Sequence, residues 1–118
     1  MNFQLEHVAI YTKDIDASVK FYEKFFGGQA TPVRKGSAGY GFCFVRIAGA
    51  PSIQLMESAS AVGVHHYGYV TDDIEGTAKE LKEKGAEILR ENRDAEGKLT
   101  TIFVKDPHGL ELEIRSPR

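Results

Sequence analysis

Apolar and polar positions follow one plan twice along this chain. From Leu5 to Tyr11 a short apolar run carrying Val8, Ile10 and Tyr11 predicts a strand. Asp14 then suits a helix N-cap, and Ile15, Val19, Tyr22, Phe25 and Phe26 recur at steps of three and four, the spacing of one apolar helix face. Gly27-Gly28 ends that helix, since glycine readily takes the left-handed C-terminal conformation. Three strand-like segments follow, around Ala30 to Arg34, Tyr40 to Ile47 and Ser52 to Met56. Gly36, Gly39, Gly49 and Pro51 mark the turns between them.

The second half repeats this order. Val64 to Thr71 predicts a strand, Asp73 a cap, and Ile74, Ala78 and Leu81 a helical stripe that stops at Gly85. Strands are expected at Ala86 to Leu89, Leu99 to Val104 and Leu110 to Arg115, with turns at Glu96-Gly97 and Asp106-Pro107-His108-Gly109. The stretch His7 to Ile15 aligns with His66 to Ile74 at an offset of 59 residues, half the chain, with His, Thr, Asp and Ile recurring. The expectation is an α+β chain of two βαβββ modules, residues 1–58 and 63–118, within one domain. The uncharged stretch Ser58 to Gly63 joins them.

Strand parity decides where the polar residues go. In Leu110-Glu111-Leu112-Glu113-Ile114 the apolar residues share one face and both glutamates the other. If the apolar face meets the helices, the glutamates look into the space that the sheet encloses. Val8 and Ile10 likewise meet the helix, which puts His7 on the opposite face with Ala9 and Tyr11. His66 falls beside Gly68, while His65, Tyr67 and Tyr69 go to the helix side.

Composition narrows the function classes. The chain has 118 residues, 42% hydrophobic and 27% charged, enough for a core in one domain. Its formal charge of −2 offers no basic field for nucleic acid or an anionic membrane. One cysteine, Cys43, excludes an intrachain disulfide and fits a reducing compartment. The N-terminal residues lack a signal peptide pattern and no apolar run spans a bilayer, so a cytoplasmic location is expected.

The same offset gives Glu113 a counterpart at Gln54, because Ile53-Gln54-Leu55 matches Leu112-Glu113-Ile114. Glu57 is also a nearby carboxylate, but its parity with Ile53 and Leu55 turns it from the enclosed face or leaves it past the strand end. Read singly, His7 and His66 are ordinary strand histidines, and Gln54 and Glu113 polar residues on wet faces. As a symmetric set of two imidazoles, one amide and one carboxylate, His7, Gln54, His66 and Glu113 suit a divalent ion such as Co, Mn, Ni, Zn or Fe. Four protein ligands on a six-coordinate ion leave two positions for a chelating substrate.

Other residues carry less. His108 reads as a turn residue, and Cys43, among Phe42, Phe44 and Val45, as core. Arg34, Arg46, Arg90, Arg93 and Arg115 are available to grip an anion, with surface solvation the plainer role for most. The parity of Arg46 with Phe42 and Phe44 leaves its face open. Tyr11 shares the face of His7.

The repeated βαβββ plan, His-x₆-Asp at each module start and Asp106-Pro-x-Gly-x₃-Glu113 near the end resemble the vicinal oxygen chelate superfamily. That group includes glyoxalase I, methylmalonyl-CoA epimerase, extradiol dioxygenases and bleomycin resistance proteins. The resemblance implies a curved mixed sheet forming a cup, metal ligands at His7, Gln54, His66 and Glu113, and a homodimer. It further implies a metal-dependent isomerase or lyase of the glyoxalase I type, acting on a small molecule with vicinal oxygens. The metal-chelated enediolate would form with Glu113 as base. The His-Gln-His-Glu set also resembles methylmalonyl-CoA epimerase. A metal-free protein that sequesters a drug or metabolite is the alternative from another class.

Overall fold

Two aspartates start the two helices, as their sequence positions require. In the computed structural model, which describes every residue except Met1, Ser37, Ala38, Val62, His108 and Arg118, Asp14 Oδ1 accepts the Ala17 amide at 3.0 Å. Asp73 Oδ1 accepts the Gly76 amide at the same distance. Each cap satisfies a donor that a helix N-terminus otherwise leaves open.

The chain divides into two compact units. One is His7–His65, and the other joins Met1–Glu6 to His66–Arg118. Strand β1 (Phe3–Thr12) contributes its first residues to the second unit and the rest to the first.

In the unit His7–His65, α1 (Ile15–Phe26) is followed by β2 (Gln29–Ala30), β3 (Arg34–Lys35), β4 (Gly41–Arg46) and β5 (Ser52–Glu57). The strands lie in the order β2-β4-β5-β1, and β3 also pairs with β4. β1 and β5 are parallel, and the other pairs are antiparallel. Ile15, Cys43, Val45 and Leu55 form the core, with Ile10, Val19, Tyr22, Ile47 and Ile53 against it.

In the other unit, β6 (Gly63–Thr71), whose residues up to His65 belong to the first unit, leads into α2 (Ile74–Glu83), β7 (Glu87–Arg93), β8 (Leu99–Lys105) and β9 (Glu111–Arg115). Their order is β6-β9-β8-β7, with β6 parallel to β9 and the rest antiparallel. Ile74, Ala78, Leu99, Ile102, Val104 and Ile114 form its core. Thr71 and Thr77 are buried beside them and share a hydroxyl hydrogen bond of 3.2 Å. The first residues of β1 are tied to this unit. The Phe3 ring lies 5.5 Å from that of Tyr69, and the Arg115 guanidinium grips the Glu6 carboxylate. Each unit is thus one helix on one face of an open mixed sheet, the α+β arrangement expected from the repeat.

Four details differ from the sequence reading. The segment Ala30 to Arg34 is two short strands rather than one, because Pro32 has no amide to donate to a ladder. Phe25 and Phe26 do not join the core. They lie in the last turn of α1, 60% and 56% exposed, clustered with Phe21. β7 runs on to Arg93, carried past Leu89 by a register shift against β8. The ring of His65 rests edge-on against Tyr11 at 5.1 Å, a residue that parity sets on the face of His7.

Candidate metal centre

Parity within each unit sorts the residues as the alternation of Leu110 to Ile114 predicts. Leu112 and Ile114 pack with α2, which leaves Glu111 and Glu113 on the other face of β9. Across the parallel ladder His66 faces Glu111, and Gly68 faces Glu113. His66 is 7% exposed, and its Nε2 lies 4.0 Å from Glu113 Oε2. That separation exceeds a direct hydrogen bond. Gly68 contributes no side chain opposite Glu113. On its other side Glu113 has Phe103 as ladder partner.

The neighbouring carboxylate is committed elsewhere. Glu111 takes both terminal nitrogens of Arg90 at 3.2 Å, and the Arg90 guanidinium stacks 3.8 Å above the Phe103 ring. Of the two glutamates on this face, Glu111 is therefore held by an arginine and Glu113 is the one beside the histidine.

In the unit His7–His65 the first half of the predicted set has the same relation. His7 pairs with Ser52, and Ala9 with Gln54, on the parallel strands β1 and β5. His7 is 5% exposed and Ala9 is fully buried. Cross-strand partners share a face, so Gln54 stands with Ala9 and Phe44, opposite the α1 face that holds Leu55 and Val45. This also fixes Arg46, left open by the sequence: through Phe42 and Phe44 it belongs to the face of Gln54. In both units a histidine is followed, two residues on, by a small residue whose ladder partner is the oxygen-bearing residue expected from the sequence, Gln54 or Glu113.

A cavity of about 440 Å³ opens on that face of the first unit, lined by Tyr11, Phe42, Gln54, Met56 and Glu57 among others. Glu57 keeps the parity of Leu55 yet reaches the lining. It is the last residue of β5, and Gly41 beside it carries no side chain. The Glu57 Oε1 atom lies 3.7 Å from where a Cβ on Gly41 would stand. That position is also 3.4 Å from Ile15 Cδ1 and from Val33 Cγ1, so the carboxylate lies toward the α1 side, as the parity of Glu57 requires.

The remaining candidates resolve to structural roles. Arg93 bonds the Gly97 carbonyl and pairs with Glu75 and Glu91, and Arg115 pairs with Glu6. Cys43 is buried in the core, where loss of water and then the Asp16 charge push its thiol pKa up. Burial, then Tyr69 and Asp106, raise that of Tyr67. His108 lies outside the described residues. No helix among those described is long and apolar enough to cross a membrane.

Comparison with known proteins bears on the family and the fold. A Haemophilus influenzae protein described as lactoylglutathione lyase is 27% identical over 121 residues, 93% of this chain and 90% of its own length. A probable chloroplastic lactoylglutathione lyase of Arabidopsis thaliana is 28% identical over 92% of this chain, which spans only 34% of that relative. Among solved structures, methylmalonyl-CoA epimerase from Mycobacterium tuberculosis superimposes with a TM-score of 0.77 at 18% identity, covering 97% of this chain and 87% of the other. A Streptomyces coelicolor methylmalonyl-CoA epimerase variant bound to 2-nitronate-propionyl-CoA gives 0.73 at 24% identity, over 96% of each chain. These two likenesses concern the fold. The model of the Glyoxalase/Bleomycin resistance protein/Dioxygenase superfamily matches residues 4–114, and the chain belongs to that superfamily.

Proposed function

We propose that this chain is a divalent-metal-dependent isomerase or lyase of the glyoxalase I type, with His7, Gln54, His66 and Glu113 as ligands. The observation that carries the reading is the separation of 4.0 Å between His66 Nε2 and Glu113 Oε2. Two donor atoms each about 2.1 Å from one ion can be at most about 4.2 Å apart, so the pair suits a shared cation. The matching register of His7 and Gln54 supports the other half of the set. The bacterial relative described as lactoylglutathione lyase supports the reaction class.

A bound divalent cation would polarise two adjacent substrate oxygens and acidify the C–H bond beside them. Glu113 then takes that proton and returns it to the neighbouring carbon, which isomerises the substrate, or to the same carbon, which epimerises it. Gln54 is an amide without a basic site at neutral pH, so the proton transfer falls to Glu113. His66, buried on β6, stands beside the carboxylate that acts. A cytoplasmic location and a homodimer belong to this reading as expectations from the sequence.

The epimerase-like reading is favoured by one residue, the amide at Gln54 where glyoxalase I-like relatives usually carry glutamate. The experiment treats both. The protein is purified without metal, loaded with Ni, Co, Zn, Mn or Fe, and its bound metal is measured for wild type and His66→Ala. Solvent deuterium incorporation into methylglyoxal–thiol adducts and into a 2-methyl-branched acyl-CoA follows. One ion per site, lost in the variant, with exchange into the thiol adduct, is the expected result. Exchange into the acyl-CoA alone selects the epimerase. A wild type that takes up no metal overturns the proposal in favour of a binding protein.

A further inference from the structure

Helix α1 carries an apolar surface that the sheet does not use. Ala17, Phe21 and Phe25 recur every four residues, so they form one stripe, and all three are exposed. The stripe lies to one side of Ile15, Val19 and Tyr22, which pack in the core of this unit. Phe21 is its hub, with its ring 5.2 Å from that of Phe25 and 5.8 Å from that of Phe26. Phe21, Phe25 and Phe26 are 48%, 60% and 56% exposed. An aromatic side chain buries about 150–250 Å² when covered, so each leaves roughly 100 Å² in water, or about 300 Å² for the three. Single exposed apolar residues need no explanation, but a contiguous patch of a few hundred Å² is what contact surfaces present.

The charges on the helix decide which partner fits. Asp16 lies in the first turn and Lys24 in the last, where its ammonium sits 5.2 Å from the centre of the Phe25 ring. Glu23 offsets Lys20, so the helix has no net charge to draw it to an anionic lipid surface. Turned end for end, the same pattern is complementary to itself. We propose that this face of α1 is an interface with a second copy of this chain, the two helices antiparallel about a two-fold axis at Phe21. Ala17 then stands opposite Phe25 of the second copy, a small side chain against a large one. Asp16 falls within about 3 Å, along the helix axis, of Lys24 of the second copy. The two copies together withdraw roughly 600 Å² of aromatic surface, and the charged rim adds to it. That is less than the roughly 1,200 Å² of a stable complex, so the association is reversible. Because α1 covers the sheet face of Val45 and Leu55, the interface leaves the Gln54 face free. It supplies a surface for the homodimer expected from the sequence and does not depend on the metal-centred reading.

Sedimentation of the full chain between about 5 and 500 µM, a range suited to a small interface, tests this. At the top of the range the weight-average mass of wild type is expected to be about twice that of Phe25→Glu, since an unpaired carboxylate in the contact weakens association at least about tenfold. Phe21→Asn serves as the second variant if Phe25→Glu does not fold. Lys24→Glu sets like charges against each other and should weaken association about threefold or more, and adding Asp16→Lys should restore it. Circular dichroism checks that each variant is folded. Equal masses for wild type and Phe25→Glu across the range overturn the proposal, as does a loss in Lys24→Glu that the folded double variant fails to regain. Vesicles of phosphatidylcholine and phosphatidylserine that retain wild type but not Phe25→Glu also overturn it, by assigning the patch to lipid. Association by a wild type that takes up no metal supports the interface and removes the enzymatic reading. Metal uptake without association does the reverse.

Discussion

His66 and Glu113 stand on adjacent parallel strands, offset by one pleat, with 4.0 Å between Nε2 and Oε2. The offset matters as much as the distance. Gly68, the direct ladder partner of Glu113, carries no side chain, and the His66 imidazole one pleat back on β6 stands beside the Glu113 carboxylate. Gln54 opposite Ala9, two residues beyond His7, repeats the device with a methyl group in place of hydrogen.

Glu113 and His66 should therefore fail in different ways. Glu113→Gln keeps an oxygen donor and removes the base. Bound metal is expected to stay within about threefold of wild type, while deuterium exchange falls by about 10²- to 10⁴-fold. His66→Ala is expected to lose the metal and the exchange together. Metal analysis and mass-spectrometric deuterium counting on the same samples check both. Equal loss of metal in the two variants would remove the distinct role of Glu113.

The local rules made much of this legible. Capping chemistry identified Asp14 and Asp73, and alternation in Leu110 to Ile114 put Glu113 on the correct face before any register was known. The 59-residue offset of the repeat pointed to Gln54 as the counterpart of Glu113, and the two have matching ladder partners, Ala9 and Gly68. What the sequence hid depends on neighbours from other strands. Arg46 took its face from Phe44, which is assigned only through its pairing with Gln54. Glu111 is occupied because β7 runs on far enough to offer Arg90. A helical stripe likewise names a face but not how far the sheet extends beneath it, which is why Phe25 and Phe26 remain exposed.

Arg90 joins two interactions that a lysine cannot reproduce. Its planar group holds the Glu111 carboxylate with two nitrogens while stacking on Phe103. The side chain is about half exposed, so the pair and the stack together are worth about 1 kcal/mol. Arg90→Ala and Arg90→Lys should lower the urea midpoint by similar amounts. Full recovery in the lysine variant would mean that charge alone matters here.

Gly28 is required by space rather than by conformation. Gly27 has φ of 64°, the left-handed cap that ends α1. At Gly28 a Cβ would meet Val45 Cγ1 at 2.7 Å and the Tyr22 carbonyl oxygen at 3.1 Å. Val45 is fully buried and the carbonyl belongs to the helix, so neither yields easily. Gly28→Ala is expected to cost about 1–3 kcal/mol, an overpacking effect, measured by thermal or urea unfolding. Gly27→Ala, with open space around its Cβ, should cost about 1 kcal/mol through backbone strain alone. The reverse ranking would contradict the packing account.

The ion pair between Lys82 on α2 and Glu91 on β7, 2.5 Å from Nζ to Oε1, gives the stability a pH dependence. The Lys82 ammonium bonded to it, with the further charge of Arg93, outweighs the effect of burial and holds the Glu91 carboxyl below the usual carboxylate range. Because the folded value is depressed, this contribution is fully present above the ordinary glutamate pKa of about 4.3 and is lost as pH falls through the folded value. Lys82 is half exposed, so the contribution is about 0.2–1 kcal/mol. Wild type and Lys82→Met should thus differ by that amount at pH 7 and converge on acidification below about pH 4. High salt should shrink the difference at pH 7, since an exposed pair is screened. Urea unfolding of both proteins across that range, with Glu91→Gln as the control, reads the difference directly. A gap that persists at low pH would assign the effect of Lys82 to its methylene packing instead.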